Sequence, residues 1–277
     1  MRFAFRTAPQ NTTWAEILAV WQVADDIEVF ESGWTFDHFY PIFSDSRGPC
    51  LEGWTVTTAL AQATKRLRFG TLATGIHHRH PAVLANMASA LDIISGGRLE
   101  LGIGAGWNEE ESAAYGIALG TPAERSDRFE EACEVLTSLL TQEATTFSGK
   151  YYQLSDARNE PKGVQRPHPP ICIGGNGEKR TLRTAARFAQ HWSFLGGTPP
   201  EFARKRDVLH AHCTDLGRDP SEILLSSPVL YDGDAGATAA SAAALGEEGL
   251  DLAIIPLKPP LDPAVLEPLA SALSEIG

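Results

Sequence analysis

Three stretches of this 277-residue chain bring together residue types that do chemistry. The first is Asp37-His38, which ends the expected strand Val29–Phe36. An imidazole exchanges protons near neutral pH, so His38 at the C-terminal end of a barrel strand suits a proton donor or acceptor. Taken alone, a histidine at a strand end is more often structural. Asp37 either orients that ring or is buried and hydrogen-bonded within the barrel. The second stretch, TLATGIHHRHP (Thr71–Pro81), sets His77, His78, Arg79 and His80 just before a helix. Cations are disfavoured beside a helix N-terminus. Two readings stand side by side: an anionic ligand nearby, or solvated loop residues with His80 as a cap. In the third, strand Ile171–Ile173 breaks at Gly174-Gly175-Asn176-Gly177 and resumes as a helix, with Lys179 and Arg180 near its first turn. Free N–H groups there make a phosphate site. Lys179, Arg183 and Arg187 share a face by i,i+4 spacing, which favours an anionic ligand over a merely solvated basic face.

The segment Leu91–Glu111, LDIISGGRLELGIGAGWNEEE, supplies a fourth strand tip. Gly96 and Gly97 follow an apolar helical run, where a left-handed cap is expected. Leu99, Leu101 and Ile103 alternate as a strand, and Gly104 and Gly106 clear its end, so that a flat ligand can lie against backbone. Glu109, Glu110 and Glu111 suit the start of a helix electrostatically, which explains them without catalysis. Trp34 and Trp54 read as core or as pocket wall. The HHRH run is too compact for a tetrahedral metal site, and no GxSxG nucleophile elbow occurs.

The net charge of −12 repels nucleic acid and anionic membranes, so neither is an expected partner. Cys50, Cys133, Cys172 and Cys213 fit neither a zinc spacing nor a disulfide framework, and read as reduced thiols. No apolar run spans a bilayer and MRFAF reads as a first strand and not a secretory signal, so a cytoplasmic protein is expected.

Strand-like and helix-like segments alternate along the chain. Strands are expected at Arg2–Arg6, Val29–Phe36, Leu67–Ala73, Arg98–Ile103, Pro170–Ile173, Gln190–Phe194, Ile223–Ser226 and Leu252–Ile255. Helices are expected from Thr13 to Asp26, over Thr55–Thr64, from Pro81, and from Pro122 to about Leu140. TFSGKYYQL reads as a hairpin turning at Ser148–Gly149, and proline-rich Ala157–Pro170 as an irregular excursion. The pattern predicts a single (β/α)8 TIM-barrel domain over residues 1–277, an α/β fold with an insertion between strands four and five. An open doubly wound sheet is disfavoured because no GxGxxG follows the first strand.

These pieces jointly resemble the bacterial luciferase-like flavin and deazaflavin oxidoreductases. The likeness rests on FDHF (Phe36–Phe39), the run Leu67–Glu111, and RPHPPICIGGNGEKRTLRTAARFA (Arg166–Ala189). It covers most of residues 1–195 and fades beyond. The DHF strand end and the TGxxxRHP segment look more like the branch that uses coenzyme F420, a deazaflavin; the other members use reduced FMN with oxygen.

The resemblance implies a TIM barrel in which His38 assists proton transfer beside the ring. It implies a non-prolyl cis peptide at Leu72–Ala73 behind that ring. Asp37, Leu72, Ala73, Thr74, Gly104, Ala105 and Gly106 would line the ring's site. Gly174, Gly175, Asn176, Gly177, Glu178, Lys179 and Arg180 would hold the cofactor phosphate. Where the family's sugar-phosphate dehydrogenases carry a tryptophan and a glutamate, this chain has Ile42 and Trp107, which argues against glucose-6-phosphate. Gln190 replaces a usual acidic residue near the sixth strand. The implied activity is F420-dependent hydride transfer to or from a small organic substrate, with C=C or C=N reduction favoured slightly over alcohol oxidation. The alternatives are an FMN-dependent monooxygenase and a non-catalytic flavin-binding protein. Family members are often homodimers.

Overall fold

Strand β1 (Arg2–Thr7) pairs with the last strand of the chain, and that pairing closes a sheet into a barrel. The computed structural model describes all of residues 1–277. After β1 come α1 (Trp14–Asp26), β2 (Phe30–Thr35), α2 (Gly53–Ala63), β3 (Arg68–Thr71), β4 (Thr74–Gly75), α3 (Pro81–Ser95) and β5 (Leu99–Gly104). Then follow α4 (Glu109–Ala114), α5 (Pro122–Thr141), β6 (Thr145–Ser148), β7 (Gln153–Ala157), β8 (Ile171–Gly174), α6 (Thr181–Phe188) and β9 (His191–Ser193). The chain ends with α7 (Pro199–Asp215), β10 (Leu224–Pro228), α8 (Ala235–Glu247), β11 (Leu252–Leu257) and α9 (Leu266–Ser274). Nine strands share the closed sheet; β4 continues the line of β3, so the barrel has eight parallel staves. The insertion falls between the fourth and fifth staves, β5 and β8, and holds α4, α5 and the β6–β7 hairpin. No helix is long and apolar enough to cross a membrane.

Local chemistry places the elements. Thr13 and Glu16 form a capping box that starts α1, and Ile17, Val20, Trp21 and Ala24 bury one face of it. Trp21 packs edge-on to Phe5 of β1 with ring centroids 5.2 Å apart, and its indole N–H donates to Thr7 Oγ1 at 2.7 Å. Pro81 opens α3 and Gly96, at φ 68°, closes it in the left-handed region that a side chain disfavours.

Two elements depart from expectation. The third stave does not run unbroken over Leu67–Ala73. It stops at Thr71 and resumes as Thr74–Gly75 against β5, while the Leu72–Ala73 peptide between them is cis, as the resemblance implied. The hairpin turns over Gly149–Tyr152 and not at Ser148–Gly149. The longer tip brings the N–H groups of Lys150 and Tyr151 to the Glu131 carboxylate of α5, at 2.7 and 2.8 Å.

Alternation along each stave divides wall from lumen. Phe5, Leu101 and Ile173 join the large core beneath the helices, while Ala4, Trp34, Cys172, Leu252 and Ile254 pack inside the barrel. Low in the lumen, Glu100 binds Arg68 Nε at 2.9 Å and His191 Nδ1 at 3.0 Å, and His191 Nε2 meets Ser226 Oγ at 2.6 Å. Buried polar groups need such partners, and each here has one. Gln190 is structural: its side-chain oxygen accepts the Ile171 N–H at 3.0 Å, tying adjacent staves.

Burial pushes the Glu100 carboxyl up, but His191 and Arg68 outweigh burial and hold it at about 2, below the ordinary 4.5. A depressed carboxyl contributes stability above its unfolded pKa and loses it as the pH falls through the folded value. Glu100→Gln should therefore destabilise the fold near neutral pH by roughly 3–5 kcal/mol, because Arg68 and His191 lose their partner. In melts followed by circular dichroism, the gap to wild type should shrink steadily from about pH 4.5 down to about pH 2. A gap that is constant across that window would show that the carboxylate is not what the network needs.

Candidate active site

All staves run parallel, so their C-terminal tips meet at one mouth. There β2 runs out into Asp37-His38, the third stave breaks at Leu72–Ala73, β5 ends at Gly104 and β8 at Gly174. The structure thus brings together tips that are far apart in sequence.

Two buried carboxylates organise this mouth. Asp37 receives both Nη atoms of Arg79, at 2.5 and 3.1 Å, and His78 Nδ1 stands 3.7 Å away. The Arg79 guanidinium lies over the Trp54 ring at 5.9 Å, and Trp54 Nε1 donates to Thr74 Oγ1 at 2.9 Å. Burial pushes the Asp37 carboxyl up, yet the His78 and Arg79 contacts hold it at about 2. The side chain expected to line the ring is thus committed to Arg79. The conflict of cations before α3 resolves inside the chain: Asp37 is the anion for Arg79, and His80 caps the helix, its Nδ1 accepting the Ala82 N–H at 3.1 Å. Thr74 is likewise engaged, by Trp54 and by Thr71 Oγ1 at 2.8 Å, and supports the wall through its hydroxyl.

Glu111 is the second carboxylate. Sequence reasoning assigned it to helix electrostatics with Glu109 and Glu110, which are exposed. The structure instead buries it against the β2 tip. Its Oε2 lies 2.8 Å from His38 Nδ1 and its Oε1 accepts the Phe39 N–H at 2.6 Å. Burial pushes Glu111 up, but the His38 contact and the Phe39 N–H hold it below its ordinary range, so it stays an acceptor. Nδ1 of His38 therefore carries the proton toward Glu111, and Nε2 has no partner within the chain. Phe36 and Trp107 flank the ring edge-on, at 5.1 and 5.6 Å. Its position on the first turn of α4, one turn from the glycine-cleared β5 tip, was the available signal for Glu111.

His77 fills the space beneath the β5 loop. A Cβ on Gly106, whose φ is 87°, would stand 2.3 Å from its ring, so only glycine fits. Burial, with the neighbouring His78 charge, pushes the His77 pKa down to about 3.

The glycine tips are open. A Cβ on Gly104 would meet only Ala73 Cβ, and one on Gly174 only Leu195, each at an ordinary 3.7 Å. Beyond Gly174 the backbone N–H groups from Asn176 to Arg180 donate to nothing in the chain, a row of free donors before α6. Several side chains named with them are committed elsewhere. Asn176 Oδ1 accepts the Leu195 N–H at 2.9 Å, Glu178 pairs with Arg204 and Lys205, and Arg180 pairs with Asp127 of α5. Arg187 likewise pairs with Glu130 and Glu134, so α5 neutralises one of the three residues of the basic face as well as Arg180. Lys179 and Arg183 are exposed. The anion-binding capacity of this turn rests in its backbone.

The chain belongs to the luciferase-like monooxygenase family, whose model matches residues 1–255, and it is an enzyme of that family. It is 33% identical over 183 residues to the pyrimidine monooxygenase RutA of Agrobacterium fabrum, a match covering 64% of this chain and 49% of that protein. The chain thus spans about half the length of curated relatives it matches. Its fold is shared with an F420-dependent secondary alcohol dehydrogenase, with TM-score 0.89 at 18% identity over 100% of this chain and 99% of the other. It is shared also with the monooxygenase RslO1 of Streptomyces bottropensis, with TM-score 0.83 at 19% identity over 99% of each chain.

Glu111→Ala removes the only acceptor that the Phe39 amide and His38 Nδ1 share. The Phe39 amide should then exchange with solvent at least about tenfold faster, equivalent to about 1.4 kcal/mol of lost protection. Hydrogen exchange read by NMR checks this, and an unchanged rate would detach the carboxylate from the loop.

Proposed function

We propose that the chain is an F420-dependent oxidoreductase acting on a small organic substrate, with His38 as the proton-transfer residue. The observation that carries this reading is the His38–Glu111 pair. It fixes one imidazole nitrogen and leaves Nε2 without a partner in the chain, at the same barrel mouth where Gly104 ends β5.

The residues present fit a planar cofactor with an anionic tail. Leu72, Ala73 and Thr74, with Gly104, Ala105 and Gly106, offer backbone and a cleared floor for the ring. Beyond Gly174 and Gly175, the residues Asn176 to Arg180 offer a row of unpaired N–H groups for a phosphate. A deazaflavin held by these residues would supply hydride transfer to or from the substrate. The chain's own task is the proton. With Nδ1–H held by Glu111, Nε2 presents a lone pair when the ring is neutral and an N–H when it is protonated, so one atom serves both directions. Asp37 acts at one remove, holding Arg79 and the loop that carries His78. Phe36 and Trp107 shield the imidazole from bulk water.

A second reading, an FMN-dependent monooxygenase, is supported by the likeness to RutA. Titrating the purified protein with F420 and with FMN, then adding oxygen to each reduced form, separates the two. F420 binding with substrate-dependent oxidation of its reduced form is expected. Oxygen uptake with reduced FMN and no F420 binding would replace the proposal. Cofactor binding with no turnover over a broad substrate panel would point to a carrier. His38→Ala should lower turnover by roughly 10²–10⁴-fold while cofactor affinity stays within about threefold.

A further inference from the structure

We propose that Arg6, with Ser193, forms an oxyanion-binding site in the lumen just below the mouth, taking a carboxylate or the negatively charged edge of a bound heterocycle. Nothing in the motifs at the strand tips points to either residue, and the site does not depend on which cofactor the protein uses.

Alternation along β1 sets the direction of the Arg6 side chain. Phe5 packs outward on Trp21 and Phe30, and Thr7 outward on the Trp21 indole. Ala4 packs inward with Trp34, Cys172 and Ile254. Arg6, two residues beyond Ala4, therefore enters the lumen on the mouth side of that cluster. It is largely buried, yet it makes no ion pair and no hydrogen bond with any residue; burial pushes its pKa down with no neighbouring charge opposing the effect. The buried carboxylates of the lumen and mouth are spent: Glu100 on Arg68 and His191, Asp37 on Arg79 and Glu111 on His38.

Ser193 is the second, independent observation. It follows His191 on β9 by two residues and so shares its lumen-facing side. Its hydroxyl is fully buried and has no partner. Gly174 stands beside it in register, and a Cβ there would touch nothing closer than 3.7 Å. An unshed positive charge and an idle hydroxyl in a lumen with open room are unfavourable unless a ligand completes them. Arginine keeps its proton, and its planar fork matches a carboxylate or a delocalised oxyanion. The lumen of an eight-stranded barrel admits only a group of side-chain size, so the anion is the leading edge of a ligand that enters by the mouth.

The test compares wild type with Arg6→Gln, Arg6→Lys and Ser193→Ala. Thermal melts are run in sodium acetate and in sodium benzoate, each at about 50 mM, against sodium chloride of equal ionic strength. The wild type should melt higher in at least one carboxylate, Arg6→Gln should lose that gain entirely, and Arg6→Lys and Ser193→Ala should keep part of it. In chloride Arg6→Gln should melt no lower than wild type, because the arginine has no partner to lose; a fall of more than about 5 °C would mark a structural role and overturn the proposal. Anaerobic titration with reduced and oxidised F420 identifies the source of the anion. A loss of about tenfold or more confined to the reduced form in Arg6→Gln assigns the ring edge. Unchanged cofactor binding with a lost carboxylate gain assigns the substrate. If neither carboxylate nor reduced cofactor distinguishes wild type from Arg6→Gln, the site does not exist. Failure of F420 to bind at all, with the carboxylate gain intact, would sink the cofactor assignment and leave this site standing.

Discussion

A carboxylate taken out of water must be met by donors, and the mouth of this barrel is arranged around two that are. Asp37 and Glu111 are each almost wholly buried, and between them they fix Arg79, His38 and the Phe39 amide. The loops that surround the site thus hang from two points of fixed negative charge. Both carboxyls are held ionised against the pull of burial, so the donors around them are permanently claimed. Specific orientation at the site follows from that claim: a histidine whose one nitrogen is taken has only the other to offer.

The barrel itself was legible because its signals are local and repeated. Alternation in LELGIG, the Thr13–Glu16 capping pair, Pro81 at a helix start and Gly96 at its end each act within a few residues. The strand tips carrying His38, Gly104 and Gly174 were legible for the same reason. Longer-range charge pairing was not. The cations before α3 left two readings open, a nearby anionic ligand or solvation; the anion that meets Arg79 is Asp37, which lies 42 positions earlier and is brought close only by the fold. Glu111 was hidden between two like residues that are solvated, and its partner His38 is 73 positions away. Arg6 gave no signal at all, because one arginine in an alternating strand reads as an ordinary outward residue until the side of the barrel is known.

The basic turn before α6 shows a different limit. Counting positive side chains there overstated them, since α5 lies alongside with Asp127, Glu130 and Glu134. Charge along one segment says little about local potential when a packed neighbour carries the opposite sign. The free N–H groups of the turn survive that correction, because their direction is set by backbone and not by what crosses from another helix.

At its lower end the barrel is stoppered. Arg68, Glu100 and His191 interlock across the lumen, with Trp34 edge-on above them. The vessel has one door. Two molecules that must meet inside it cannot queue from opposite sides: whichever sits deeper has to arrive first and depart last, so the order of traffic is written into the shape of the container before any affinity is measured.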